Sequence, residues 1–316
     1  MRALTMTAFT GPDGLAVAEV PDPGPPGRDE VLVAVTAGGI GAWDLGSADG
    51  AFRALGGNAE LPQVAGWDFA GTVAAAGSAV DGLRVGDPVL GFTPQPWSGC
   101  GAFAELIRVP AGAVALRPDG LDVHEAALLP VAALTARLLL DTARASVDSR
   151  VLVTGAAGAV GGLVVQLGAA EGAVVIAATA AAAEQQAARR GAAHVVDRAG
   201  DVSAQVRSIA PGGVDAAIDL TGDPAVRVAA IASLRDGGVL VTAVRGGDPG
   251  APRDIAVRFV QVQPDGAALA PLAALAAAGV LRPLLGHVLP LAEGARGYRA
   301  MRDRSVRGRV VLEVAR

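Results

Sequence analysis

The chain has 316 residues, 52% hydrophobic and 18% charged, a length and apolar content that predict two domains rather than one core. Its net charge is −5 and its arginines are scattered, with no basic stripe among aromatics, which argues against a nucleic-acid partner. All 26 basic residues are arginine, so Schiff-base chemistry on lysine is excluded and any phosphate clamp must use guanidinium or backbone N–H groups. In chain order, the first ~110 residues read as short strands between turn residues, at 31–35, 69–76, 85–92 and 102–109. Strand after strand with Gly and Pro connections predicts a compact β-barrel or sandwich.

The texture changes near residue 120. A segment of helical length spans 123–142, and 151–154 then opens a regular alternation of apolar strands, at 173–178, 194–196, 214–220 and 238–244, with Ala-rich helical stretches. Parallel strands need crossovers of that length, so this part predicts βαβ units on a parallel sheet. Two helical stretches follow, 267–278 and 292–303, and then a closing strand, 308–314, whose character matches the first domain. The expected fold is α/β: a Rossmann-type domain (122–264) inserted in a β-rich substrate domain (1–121, with the return at 265–316). Cys100 stands alone, which excludes an intramolecular disulfide and fits a reducing compartment. Residues 1–7 lack the apolar run of a signal peptide, and 126–140 is interrupted by Pro130 and Arg137. A soluble, cytoplasmic protein without a membrane partner is expected.

The first strand of the alternation runs into Gly155, Ala156, Ala157, Gly158, Ala159, Val160 and Gly161, an A-x-G-x-x-G form of the dinucleotide fingerprint. In a chain with 43 glycines that bare spacing arises about once by chance, so context decides. Here the loop follows an apolar strand and opens a helix. Gly158 would let backbone approach a pyrophosphate, with Ala157, Ala159 and Val160 around it, and Gly161 would let the helix pack closely. An NAD site places a carboxylate at the end of the second strand. That strand ends at Thr179 and Ala180, with no carboxylate before Glu184. The uncharged end leaves room for a 2′-phosphate, with Thr179, Arg189 and Arg190 as donors or the two arginines as solvated helix positions. NADPH is expected in preference to NADH.

Gly66, Asp68, Gly71 and Val73, then Gly77, then Gly86, Asp87 and Val89, resemble the G-x-[DE]-x-x-G-x-V … G-D-x-V signature of medium-chain dehydrogenases/reductases. Residues 101–105 and 126–136, and the ending Gly308, Arg309, Val310, Val311, Leu312, resemble its zinc-independent quinone oxidoreductase branch. These marks keep their order from one end of the chain to the other. The resemblance implies a GroES-like barrel carrying a Rossmann domain, and a homodimer. By position, the catalytic zinc ligands of the alcohol dehydrogenases fall at Gly41, Trp67 and near Val131, none of which can bind the metal. His124, His194 and His287 match no ligand spacing, so no zinc is expected. The resemblance also implies that Thr135 bonds the cofactor, and that Thr221, Gly222, Val244 and Arg245 line its nicotinamide. Asp44 and Asp68 match family carboxylates, which act either as structural hydrogen-bond acceptors or in catalysis; no acid or base is assigned.

The branch carries Asn-Pro where Gly41 and Ala42 stand here, and tyrosines in the segment after it; the sole tyrosine of this chain is Tyr298. Gly41, Trp43, Phe52 and Trp67 are therefore candidates for the substrate pocket, with Trp97 beside them, and ordinary core packing is the competing reading of each large aromatic. The expected reaction is hydride transfer to a quinone or other conjugated carbonyl, with the proton from water. An enoyl or 2-alkenal reductase of a biosynthetic pathway is the nearest alternative. A nucleotide-binding protein with little redox turnover, and a non-redox tailoring enzyme, are the others.

Overall fold

Two strands outside the sequence expectation open the chain, β1 (Arg2–Met6) and β2 (Leu15–Glu19), paired antiparallel. The longest strand, β3 (Glu30–Ile40), buries Val31, Val33 and Val35 on alternate positions, the period of a strand with one face on a core. Helix α1 (Ala42–Ala48), strands β4 (Gln63–Val64), β5 (Asp68–Ala76) and β6 (Pro88–Phe92), the short helix α2 (Gln95–Ser98), and β7 (Leu106–Pro110) and β8 (Val114–Leu116) follow. β5 pairs along β3, and β7 pairs with the first half of β3. The strand expected over 102–109 begins only at Leu106, because the Ala102 and Phe103 N–H groups go to the Gly66 and Ala65 carbonyls instead. Leu4, Val33, Phe69, Phe103 and Tyr298 meet in the core that these strands enclose.

The single helix expected over 123–142 is two, α3 (Val123–Ala126) and α4 (Pro130–Thr142). Pro130 has no N–H to continue a helix and disfavours helical geometry at the residue before it. The alternation then runs β9 (Arg150–Thr154), α5 (Ala159–Ala170), β10 (Val174–Thr179), α6 (Glu184–Arg189), β11 (His194–Asp197), α7 (Val202–Ile209), β12 (Val214–Asp219), α8 (Pro224–Ala232), β13 (Leu234–Thr242) and β14 (Ala256–Phe259). The six strands are parallel, in the order β11-β10-β9-β12-β13-β14. β9 and β10 read as unbroken apolar runs because helices cover both faces of such a sheet. The chain order reverses at β9, which has β10 on one side and β12 on the other, and the crevice at such a switch point is where open α/β sheets bind ligands.

The chain returns through α9 (Gly266–Ala277), β15 (Leu285–Pro290), α10 (Gly294–Arg302) and β16 (Arg309–Glu313). β16 lies antiparallel to β3, with Val310 opposite Ile40. The computed structural model describes residues 1–314 except 59, 247–249, 251 and 253. Two compact units result: 1–131 with 263–316, and 132–262. Residues 122–131, grouped by texture with the parallel-sheet domain, sit in the first unit, where the Val131 N–H bonds Asp68. Among the described residues no helix is long and apolar enough to cross a membrane.

Candidate functional site

In the parallel-sheet unit, β9 delivers the chain into a turn at Gly155, whose φ of +74° is the left-handed conformation that glycine adopts without strain. The Gly158 N–H closes the turn on the Gly155 carbonyl at 2.9 Å, and Gly158 caps α5. A Cβ on Gly161 would stand 2.2 Å from the Gly155 oxygen, so the helix start can lie against the turn only with glycine there. A Cβ on Gly158 would meet nothing closer than that same oxygen at 3.2 Å, and Ala157 and Gly158 are exposed. Helices α7, α8 and α9 begin on Asp201, Asp223 and Asp265, whose carboxylates accept their first N–H groups. α5 has no side-chain cap. Its leading N–H groups and the positive end of its dipole are left for an external acceptor, a donor set that fits a diphosphate.

At the end of β10, Thr179 is buried and its carbonyl accepts the Arg198 N–H at 3.0 Å, since β11 runs beside it. Arg198 escaped the sequence reading because only strand pairing brings it to Thr179. Arg189 is exposed on α6, whereas the Arg190 guanidinium lies against the first turn of α5, 2.1 Å from where a Cβ on Gly162 would be. The two neighbouring arginines thus occupy different surroundings. Across the switch point, Asp219 ends β12 fully buried. Its Oδ1 accepts from Thr154 Oγ1 (2.8 Å), Thr221 Oγ1 (2.7 Å) and the Thr221 N–H (3.0 Å), and its Oδ2 accepts from Arg227 Nε (3.0 Å). Burial pushes this carboxyl up, but the hydrogen bonds from Thr221, Thr154 and Arg227 outweigh it and hold the group below the usual carboxylate range. Gly222 takes φ +69°, and a Cβ there would crowd the Val244 side chain at 2.7 Å. Arg245 is exposed, its guanidinium 4.7 Å from the centre of the Phe259 ring. Thr135 is buried in α4.

In the first unit, Gly41 caps α1, and its N–H donates to Asp44 Oδ2 at 2.7 Å. Asp68 is also fully buried; Oδ1 accepts the Val131 N–H (2.8 Å) and Oδ2 accepts from Arg309 Nη2 (2.7 Å). The Arg309 guanidinium spends its other donors on the carbonyls of Gly39, Ile40 and Leu128. Burial drives Asp44 well above the usual range; the Gly41 N–H opposes this and the Asp68 charge adds to it. Burial likewise raises Asp68, against the pull of Arg309 and the Val131 N–H. The Trp43 indole is wedged between two groups. A Cβ on Gly41 would fall 2.3 Å from it, and Arg309 lies 4.7 Å from the ring centre on a face. Trp67, 6% exposed, donates Nε1–H to Ser47 Oγ (3.0 Å). Phe52 (5.6 Å), Phe92 (6.4 Å) and Trp97 (6.0 Å) surround its ring.

Residues 27–119 match the family model of the alcohol dehydrogenase GroES-like domain, and residues 190–312 match that of zinc-binding dehydrogenases. The chain is 39% identical over 147 residues to a 2-methylene-furan-3-one reductase of Solanum lycopersicum, an alignment covering 44% of this chain and 37% of that one. It is 37% identical over 144 residues to a chloroplastic NADPH-dependent alkenal/one oxidoreductase of Arabidopsis thaliana, with the same two shares. Among solved structures, a quinone oxidoreductase from Coxiella burnetii superposes with a TM-score of 0.86 at 25% identity, covering 100% of this chain and 99% of that one. The chain belongs to the medium-chain dehydrogenase/reductase superfamily. Its fold is that superfamily's, a GroES-like domain carrying a parallel-sheet Rossmann domain.

The chain spans 37% of the length of each of the two curated relatives. Within the superfamily, the zinc-ligand positions identified by resemblance hold glycine, tryptophan and valine. The Trp43 indole covers Gly41, Trp67 is enclosed by aromatic rings, and Val131 is buried. No group of three potential ligands gathers elsewhere among the described residues. Glycine, tryptophan and valine side chains offer no zinc donor at those three positions.

Proposed function

We propose that the chain is a reductase dependent on a nicotinamide nucleotide, with NADPH preferred to NADH, that passes hydride to a quinone or other conjugated carbonyl without zinc. The observation that carries this reading is the uncapped start of α5, closed against Gly155 by Gly161 and open at Gly158. When bound, the reduced nucleotide supplies the hydride. The backbone of Ala157, Gly158, Ala159, Val160 and Gly161 would hold its diphosphate. Thr179, with Arg189, Arg190 and Arg198, forms the candidate 2′-phosphate end. In support, β10 ends without a carboxylate, and Asp197 on the neighbouring strand already accepts the Ala199 N–H at 3.0 Å. Thr135, Thr221, Gly222, Val244 and Arg245 would bound the nicotinamide half.

Gly41, Trp43, Phe52 and Trp67 are the proposed apolar wall for the acceptor. Asp44 and Asp68 are given no proton to transfer, since both are fully buried and hydrogen-bonded; water supplies the proton. A conjugated acceptor delocalises the incoming charge, so orientation and exclusion of water are what the chain must contribute. The names of the plant relatives favour a second form of the same chemistry, reduction of the carbon–carbon double bond of an enal or enone. A homodimer in the cytoplasm completes the proposal. The purified chain should take up NADPH saturably and oxidise it with a quinone panel or an enal and enone panel, read at 340 nm. Tight uptake with no oxidation by either panel would leave a nucleotide-binding protein, and no uptake at all would reject the reading.

A further inference from the structure

The glycine turn accounts for the phosphate end of the parallel sheet, but nothing in that motif accounts for Asp219 and Arg227. Arg227 projects from the first turn of α8, is 4% exposed, and meets Asp219, which is 0% exposed. Charges this buried lose hydration that their mutual attraction barely returns, and apolar residues of similar volume would hold a core as well. What an apolar pair would not do is reach the loops. Arg227 Nη2 donates to the Val244 carbonyl at 3.0 Å and to Thr242 Oγ1 at 3.5 Å, and a Cβ on Gly246 would lie 2.4 Å from Nη1. Asp219 Oδ1 gathers the Thr221 N–H and hydroxyl and the Thr154 hydroxyl. Thr242 Oγ1 donates to the Val244 carbonyl at 3.1 Å and accepts its N–H at 3.0 Å. One ion pair therefore ties the ends of β9, β12 and β13 to the two segments that leave β12 and β13.

The strand order says which half of a dinucleotide those segments would face. A diphosphate at the β9 turn sits at the switch point, and the adenosine ribose of such a ligand goes to the end of the next strand in sequence, β10. The other half must then lie on the opposite side, over β12 and β13. We propose that the Asp219–Arg227 pair is a positioning clamp, which holds Thr221–Gly222 and Val244–Arg245 in the shape that receives the nicotinamide half of the cofactor. This rests on the proposed cofactor reading and assigns neither residue a chemical step.

The test compares two ligands, NADPH and the fragment 2′,5′-ADP, which lacks the nicotinamide half, by calorimetric titration of the full chain. Arg227→Met is expected to weaken NADPH about tenfold while 2′,5′-ADP stays within about twofold of the wild type. Arg227→Lys, which keeps a charge for Asp219 but lacks the fork that reaches Val244, should restore melting temperature more fully than NADPH affinity. Because removing one partner of a buried pair can prevent folding, Thr242→Val provides a milder variant. It keeps the ion pair and the Arg227 bond to the Val244 carbonyl, removes the Thr242 Oγ1 bonds to Val244 and to Arg227, and is expected to weaken NADPH about threefold with the fragment unchanged. Equal loss of both ligands, or no loss of NADPH in Thr242→Val or a folded Arg227→Met, would overturn the clamp while leaving the cofactor reading intact. A wild-type chain that binds neither ligand would overturn the cofactor reading, and the clamp with it.

Discussion

Gly158 and Gly161 lie three residues apart and answer to different constraints. Gly161 is required by the fold: its missing Cβ is the gap through which the Gly155 carbonyl meets the helix. Gly161→Ala should therefore destabilise the chain by about 1–3 kcal/mol, read as a lower melting temperature, because the clash is with backbone that cannot rotate away. Gly158 has an ordinary φ of −71°, and a Cβ there would meet one atom, the Gly155 oxygen at 3.2 Å, a tight contact that a shift of a few tenths of an ångström relieves. Gly158→Val is expected to stay folded with a modestly lower melting temperature, since valine is a poor N-cap, and to bind NADPH at least tenfold more weakly, about 1.4 kcal/mol. Unchanged affinity in that folded variant would remove the diphosphate from this turn. Both glycines were legible from spacing, because a turn between a strand and a helix is local. The tryptophans were not: the contacts that enclose Trp67 come from Phe52, Phe92 and Trp97, and sequence distance does not encode such packing.

Where β9, β12 and β13 end together, the chemistry belongs to the elements jointly. Thr154, Asp219 and Thr242 close three strands, and parallel pairing sets Asp219 level with Thr154 and with Thr242. With its folded-state ionisation held below the ordinary carboxylate range, Asp219 favours folding when charged. That contribution is complete above about pH 5 and is lost as pH falls through about 4 and lower. Denaturant unfolding of the wild type and Asp219→Asn should show a stability gap at pH 7 that narrows at pH 3.5. A gap of constant size would mean that the hydrogen bonds do not outweigh burial. The elements that escaped the sequence pattern share a cause. β1 is short, β2, β14 and β15 are half-exposed or exposed along most of their length, and such segments carry neither a long apolar run nor a clear alternation. The break between α3 and α4 was legible at Pro130, but the apolar character on both sides masked it.

For the whole molecule, β14 closes one edge of the parallel sheet, with Arg258 and Phe259 exposed. Among the described residues no strand pairs with its outer side, and a strand edge of that kind is a template for pairing with another chain. The proposed homodimer should appear in light scattering as twice the 31.2 kDa chain mass, persisting on dilution to micromolar concentration. A mass of one chain at all concentrations would reject it. The return of the chain was readable in outline, because the closing run 308–314 is apolar in the manner of a barrel strand rather than of the βαβ alternation. Its partner was not readable, since the antiparallel register of β16 on β3 joins residues about 270 positions apart.

Amino-acid order alone determined the two-part α/β architecture, the glycine-spaced strand–turn–helix, and a superfamily signature whose metal-ligand positions hold no ligand. Each of these is written in spacing or residue type over a short stretch. Only the tertiary structure decided that Trp43 stacks under Arg309, that the Arg198 backbone N–H bonds the last carbonyl of β10, and that Asp219 and Arg227 form a buried pair linking three strand ends. The first two join distant parts of the chain, and the pair, though local in sequence, gains its meaning from strands that pairing sets side by side. Sheet pairing and close packing choose such neighbours, and no local pattern of residues records that choice.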